Sequence, residues 1–482
     1  MSPFILFIIY ILISLINCDK LIFVTTHFRH GARAPMRVDQ KYRDHIKEIW
    51  KSPGELTAVG HRMHYILGLR NRLRYITDTY NFLSERFNSH EILIYSSPFN
   101  RTLLSAYSQL QGLYPEFENL GEILYENQEK LAVPDIKYNY PSIEEKINKI
   151  KGNAMPNLMT LIPVRMINDD ERKITLYDIG KCQEKRDEIK ENNRKTLPII
   201  INMEKEFNKE YGEKLNNFYG EERTYDYNFM NRLCDAVISG ITDARNLTEF
   251  KKTKIDINKI KDYCFEVQKM NYREHILGDK EHILAPLEAS KLMKEIIHYM
   301  KQRIDIDINQ ENIEEKFLDY SKPKMLMISG HDSTIACNEI FLLNSLNYSI
   351  KDFFRLPKYA SQLALEIIRR DATIEEIKNM TYKDYIINYY FNDELILRIS
   401  VDEFIKKIEP NLWTDQQIDD FCGFNNDGLN NIYLMIGIIL SSLFIIFLIT
   451  TIILSVKLFK MKKKHKEMVY QVSMVNRSSI ND

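Results

Sequence analysis

From Ile432 to Val456 the chain reads IYLMIGIILSSLFIIFLITTIILSV, without one charged side chain. That run exceeds the ~20 residues a helix needs to cross a bilayer. Hydrocarbon offers no water to satisfy a free peptide group, so a segment that enters it must be helical. A helix of a soluble core would keep a polar face, and this run has none. KLFKMKKKHKE follows at once, whereas Asp415, Asp419, Asp420 and Asp427 lie before it. Basic residues on one flank predict a cytoplasmic tail over residues 457–482. At the opposite end, Met1 to Asn17 is apolar but short for a span, and the charged pair Asp19-Lys20 closes it. The pattern predicts a secretory signal peptide over residues 1–18, cut near Cys18, although its first residues lack the usual Lys or Arg. The two ends together predict a single-pass type I membrane protein whose bulk, residues 19–428, is luminal or extracellular.

The net charge is −1, with about +5 in the tail from Lys457 onward and about −6 in the remainder. No general basic field exists, so nucleic acid is not an expected partner. The tail alone suits anionic lipid headgroups. Beyond Cys18 the cysteines are Cys182, Cys234, Cys264, Cys337 and Cys422, an odd set that allows at most two bridges and one free thiol. No CxxC pair occurs, which argues against a zinc ribbon or a thioredoxin-type site. Asn246-Leu-Thr, Asn347-Tyr-Ser and Asn379-Met-Thr fit luminal glycosylation, as does Asn100-Arg-Thr.

Three short apolar runs predict buried strands of a parallel sheet: Leu21 to Phe28, Glu91 to Ser96 and Lys324 to Ser329. Each ends in a turn and then helical periodicity, over Leu56 to Arg74, Arg101 to Leu113 and Thr334 to Asn344. From roughly 120 to 300 the chain is charged and helix-prone, as in Gln183 to Asn193 and Met203 to Phe218, which predicts a largely helical insertion. Ala364 to Arg369 and Leu395 to Val401 read as later strands, and Glu409 to Gly428 as a short polar stalk.

Open α/β sheets bind ligands beyond the carboxyl ends of their strands. Those ends carry Arg29-His30-Gly31-Ala32-Arg33, then Ser96 to Arg101, then Gly330-His331-Asp332. Segments far apart in sequence would thus gather Arg29, Arg33, Arg101, His30 and His331 around one point. Three guanidinium groups repel one another unless an anion sits between them, and their forks match phosphate oxygens. A neutral imidazole is a competent nucleophile towards phosphorus. Asp332 is placed to protonate the departing alkoxide and then to activate water. The scheme calls for no metal and no other cofactor. Gly31 would let the chain turn sharply at the strand end, and Pro35 would stiffen the exit. His61 and His64 fall within a helical pattern and read as surface or core residues. The spacing of His27 and His30, taken alone, does not make a metal site.

Arg29-His30-Gly31-Ala32-Arg33-Ala34-Pro35 resembles the RHGxRxP signature of the histidine acid phosphatases. Leu56-Thr57-Ala58-Val59-Gly60 with Leu67-Gly68 resembles that family's LTxxG…LG helix, and Ser96 to Leu103 its second arginine segment. Gly330-His331-Asp332-Ser333-Thr334 resembles the HD motif, and Pro357-Lys358-Tyr359-Ala360-Ser361 the PxYAS segment. The resemblance implies an α/β fold, phosphoglycerate mutase-like, with a mostly parallel central sheet flanked by helices and a helical cap. It implies His30 as phosphate acceptor, Asp332 as proton donor, and Arg29, Arg33, Arg101 and His331 as phosphate ligands. Small phosphomonoesters become the expected substrates, and a homodimer one expected assembly.

With its anchor and short tail, the chain looks most like the lysosomal acid phosphatase subgroup, with a lysosome, vacuole or cell surface as its place. Tyr470-Gln-Val-Ser lacks the bulky apolar residue of a tyrosine sorting signal. Tyr95 stands where the family often has Arg, and Pro98 and Asn100 where it often has acids, so substrate preference is open. Gln362 replaces a cysteine common in animal relatives, so their disulfide pairing does not transfer. The sequon at Asn100 adjoins the expected phosphate pocket and is expected to be occluded. Inositol phosphates or a lysophospholipid phosphate remain alternative substrates. A catalytically silent phosphate-binding ectodomain and a phosphohistidine mutase are the alternatives of a different class.

Overall fold

A computed structural model describes residues 19–36, 50, 52–118, most of 121–134, 141–167, 180–245, 251–277, 284–310, 322–423 and 427–478. The signal peptide expected over 1–18 and the sequon at Asn246 lie outside the described residues. Two compact units divide the chain, Met1–Ile418 and Asp419–Asp482.

In the first unit the three predicted apolar runs form strands β1 (Lys20–Arg29), β2 (Ile92–Ser96) and, after the insertion, β4 (Met325–Gly330). The two-residue strand β3 (Arg165–Met166) comes from the insertion expected to be helical. Strands β5 (Gln362–Arg369), β6 (Tyr385–Phe391) and β7 (Glu394–Ser400) complete one sheet in the order β3-β2-β4-β1-β5-β6-β7. The first four are mutually parallel, and the pairings β1–β5, β5–β6 and β6–β7 are antiparallel. Five strands therefore share one direction while β5 and β7 oppose it, which makes the sheet mixed.

Continuous apolar runs arise because both faces of this sheet are covered. Leu93, Leu326 and Ile328 join the hydrophobic core on one face, while Ile92, Ile94, Met325 and Met327 join that on the other. Side chains alternate across a strand, so two covered faces favour apolar residues at successive positions. Helix α1 (Ala58–Arg72) follows β1, and its N-cap Thr57 accepts a hydrogen bond from Gly60 N. Helix α2 (Asn100–Leu113) follows β2 and supplies Ala106, Leu110 and Leu113 to one face.

The insertion contains α3 (Pro141–Ile150), α4 (Gly180–Thr196), α5 (Pro198–Tyr219), α6 (Tyr227–Thr242), α7 (Ile257–Leu277) and α8 (Leu284–Asn309). Helices α5, α6 and α7 build a separate core around Phe207, Leu215, Met230, Val237, Ile260 and Val267. Cys234 and Cys264 bridge α6 to α7. Cys422 is disulfide-bonded as well, and Cys337 is buried. Helix α9 (Asp332–Ser345) follows β4 directly and packs with α8 and α10 (Val401–Ile408) on the other face of the sheet.

Part of the expected stalk is ordered structure. Helix α11 (Asp415–Cys422) buries Ile418 and Cys422. Gln362 is also buried, and its amide pairs with that of Asn71 and accepts from Gln109. Gln362, Asn71 and Gln109 thus form a buried amide network. In the second unit, α12 (Asp427–Ser478) contains the predicted span, an apolar stretch with mean hydropathy 2.8 that is long enough to cross a membrane. The helix continues unbroken through Lys457 to Lys466.

Candidate active site

Strands β2, β4 and β1 are neighbours, so their carboxyl ends meet. Arg29 lies opposite Gly330 across the β1–β4 ladder, and Ser96 opposite Ser329 across β2–β4. His30 N donates to Gly330 O at 3.0 Å and Ser97 N to Ser329 O at 3.1 Å, which carries the pairing one residue further. All six residues expected at the site, His30, Arg29, Arg33, Arg101, His331 and Asp332, are brought together there.

The His30 side chain is buried, and its Nδ1 lies 2.9 Å from Gly31 O. A carbonyl only accepts, so Nδ1 carries the proton and Nε2 keeps its lone pair. Burial, then the charges of Arg29, Arg33, His331 and Arg101, hold the imidazole well below its ordinary range, hence neutral. The rings of His30 and His331 stand 5.6 Å apart, edge to face. His331 Nδ1 faces Arg101 Nη2 at 3.5 Å and its Nε2 lies 2.9 Å from Ser97 Oγ. The guanidinium can only donate, so His331 Nε2 donates to Ser97, which passes the chain to Thr102 Oγ1 at 2.8 Å.

Asp332 opens α9 and pairs with Arg29 Nη2 at 2.8 Å. Burial alone would raise its carboxyl, but Arg29, a hydrogen bond from Tyr272 and the charge of Arg33 outweigh that and hold it at about 2. Arg29 also donates to Pro357 O at 2.8 Å, and its guanidinium lies 4.3 Å from the Tyr359 ring centre. Arg33 forms a two-pronged pair with Asp235 of α6. Phe99 stacks against Arg101 at 4.5 Å and meets His331 edge-on at 5.2 Å.

Gly31 does not adopt the left-handed conformation that its expected turn would need. It is small because α1 approaches: a Cβ on Gly31 would lie 2.5 Å from Gly60 O, and one on Gly60 would lie 2.2 Å from Ala32 O. Gly60→Ala should therefore push the Arg29–Arg33 loop off its position. Alanine favours helices over glycine by about 1 kcal/mol, so any loss of stability reads the clash itself. The expected drop in kcat/KM is on the order of 100-fold, measured beside a thermal unfolding curve.

A profile of the histidine phosphatase superfamily (branch 2) matches residues 20–392. The chain belongs to this family. Bovine prostatic acid phosphatase is 23% identical over 383 residues, which cover 79% of each chain. The lysosomal acid phosphatase of Xenopus laevis is 39% identical over 104 residues, only 23% of that enzyme's length. Among solved structures, the Citrobacter braakii phytase superposes with a TM-score of 0.47 at 15% identity, over 84% of this chain and 99% of that one.

Several residues around this histidine phosphatase site carry no motif signal. Asp235, Ser239 and Tyr272 come from the insertion, where no local pattern sets them apart from their neighbours. His64 is a core residue with a specific contact: its Nε2 lies 3.1 Å from Arg29 O and its Nδ1 3.1 Å from Gln109 Oε1. It stands four residues beyond the LTxxG glycine Gly60, one helical turn along α1. Asn100, expected to be occluded, is exposed and donates to Glu55 at 3.3 Å. It lies at the start of α2, where the chain turns outward, while Arg101 turns in. Asn347 and Asn379 are exposed too.

Burial lowers the part-buried His61 and all four buried imidazoles described in this unit, His30 as above, His64 to about 4, and His27 and His331 each to about 3. In the unfolded chain all four would titrate near the ordinary value of ~6.5. Below that pH the unfolded state binds protons that the folded state refuses, so stability is complete above it and declines as pH falls. Each imidazole held neutral costs about 1.4 kcal/mol per pH unit in that interval. The full-length protein in detergent should unfold at a lower urea concentration at pH 5 than at pH 7. Equal midpoints would mean that these histidines are protonated in place.

Proposed function

We propose that this histidine phosphatase hydrolyses phosphate monoesters through a covalent phosphohistidine on His30, with Asp332 as proton donor. Its family and its acid phosphatase relatives make it a phosphoric monoester hydrolase. The observation that carries the mechanism is the His30 Nδ1 contact to Gly31 O, which leaves Nε2 as an unprotonated donor of electrons among Arg29, Arg33 and Arg101. Nε2 attacks phosphorus, the P–O bond to the alcohol breaks, and Asp332 gives the alkoxide its proton. Water then loses a proton to the Asp332 carboxylate and attacks phosphorus, the P–N bond breaks, and inorganic phosphate leaves neutral His30 behind. The arginines stabilise the charge on the equatorial oxygens of the transition state.

Asp332 at about 2 would carry its proton in roughly one molecule in a thousand at pH 5. That value belongs to the ligand-free site, where Arg29 is free to pair with it. A phosphate dianion engages Arg29 and adds negative charge beside the carboxyl, and both effects raise its proton affinity. The kcat profile, which reports the substrate complex, should therefore show an acid group titrating well above 2. Turnover of a panel of phosphomonoesters by the full-length protein, followed across pH with and without chelator, tests the reading. We expect an acidic optimum and no loss with chelator.

The lysosomal relatives and the apolar helix α12 fit a membrane-anchored lysosomal enzyme. We place the phosphatase unit on the luminal side, on the basic flank Lys457 to Lys466. Protease protection in sealed vesicles checks that orientation: the tail should be cleaved from the cytosolic face and the phosphatase unit spared.

A further inference from the structure

Helix α6 of the cap reaches the phosphate site with two residues one turn apart. Asp235 holds Arg33, with Oδ1 2.9 Å from Nη2 and Oδ2 3.3 Å from Nη1. Oδ2 also accepts from Met36 N at 2.8 Å, which ties the exit of the Arg33 loop to the same carboxylate. Ser239, four residues on, lies 3.0 Å by its Oγ from the Tyr359 hydroxyl. The Tyr359 ring in turn lies under the Arg29 guanidinium at 4.3 Å and within 5.9 Å of that of Arg33. The Cys234–Cys264 bridge, next to Asp235 in sequence, fastens α6 to α7.

A guanidinium has two edges that can grip an anion, one formed by Nη1 and Nη2 and the other by Nε and Nη2. In Arg33, Asp235 takes the first edge, and Nη1 spends its remaining hydrogen on Ala34 O at 3.0 Å. Nε of Arg33 is buried and has no hydrogen-bond partner among the described residues, and the same is true of Nε of Arg29. A buried N–H without an acceptor is costly, and native structures rarely keep one without a use. An arginine pinned along one edge and bare along the other presents the bare edge to its ligand.

We propose that Asp235 is a positioning residue for the phosphatase reaction. It fixes Arg33 from the cap side so that the Nε–Nη2 edge meets a phosphate oxygen, while Ser239 steadies Arg29 through Tyr359. The inference rests on the functional reading above and adds that the helical cap, beyond covering the sheet, builds part of the phosphate site. Its opposite is also physically sensible: Asp235 could compete with phosphate for Arg33, since both are anions. The occupied edge favours positioning, because a competitor would take the edge that the ligand needs.

The test uses full-length protein in detergent and reads kcat, KM and the competitive inhibition constant of inorganic phosphate. Asp235→Asn keeps the shape but weakens the charged grip on Arg33. KM and the phosphate constant should each rise about tenfold, the equivalent of 1.4 kcal/mol, with Asp235→Glu recovering part of the loss. In an Arg33→Lys background the Asp235→Asn change should have little further effect, since the two act as a unit. A variant in which activity falls only with the folded fraction, KM and the phosphate constant unchanged, would overturn the proposal. So would tighter phosphate binding, which is the signature of a competitor. Wild-type protein that neither turns over phosphomonoesters nor binds phosphate would overturn the functional reading, and this inference with it.

Discussion

His30→Ala should remove turnover of phosphomonoesters, with a fall in kcat on the order of 10⁴-fold or more, because no other group replaces a covalent nucleophile. The site should survive the change. Arg29 keeps its contacts to Asp332, Pro357 and Tyr359, and Arg33 its pair with Asp235, none of which involves His30. Inorganic phosphate should therefore still bind the variant with affinity within a few-fold of wild type. The intermediate offers a direct check. Wild-type protein mixed with labelled substrate and quenched in base should retain label that acid releases, as a phosphoramidate does, and His30→Ala should retain none. Normal turnover by the variant would end the proposed mechanism.

Asp332→Ala should produce the second large effect, and its size should depend on the substrate. An alkoxide leaving group needs a proton, whereas a nitrophenolate departs without one. Losses on the order of 10² to 10⁴ are expected for alkyl phosphates, and much smaller ones for aryl phosphates. Equal losses across that series would count against Asp332 as the acid. The variant also frees Arg29 from its 2.8 Å partner, so inorganic phosphate should bind it somewhat more tightly than wild type. That gain separates an acid that also restrains Arg29 from a residue that merely supports the fold.

Much of the sheet was legible because burial on both faces leaves an unmistakable local trace. The β1, β2 and β4 segments each carry an apolar run, Leu21 to Val24, Ile92 to Ile94 and Met325 to Ile328, and the structure places them side by side. Strand β6 left a weaker trace. Tyr385 to Phe391 contains Asn388 and three tyrosines, which local periodicity does not separate from a loop. It becomes a strand because β5 and β7 flank it with seven and six paired residues. The two-residue β3 gave no signal at all, since it exists only by pairing with the end of β2. Glu409 to Gly428 read as a stalk because it is polar. Ile418 and Cys422, the two residues it buries, lie four apart at helical spacing, too short a signal to stand out in a polar segment.

The amino-acid sequence alone determined the apolar helix near the C-terminus, the strands buried on both faces, and the six residues that their ends bring together. Each of these depends on chemistry confined to a few neighbouring positions: hydrophobicity sustained along a run, or a cluster of cations and imidazoles after a strand. Only the tertiary structure decided how those residues are held. Asp235 faces Arg33 across 202 positions of sequence, Tyr359 lies under Arg29, and Gly60 presses on the loop that carries His30. Such partners are chosen by the approach of one element to another, and nothing in their immediate sequence records it. The histidine was visible from the start; the contacts that would set its arginines were not.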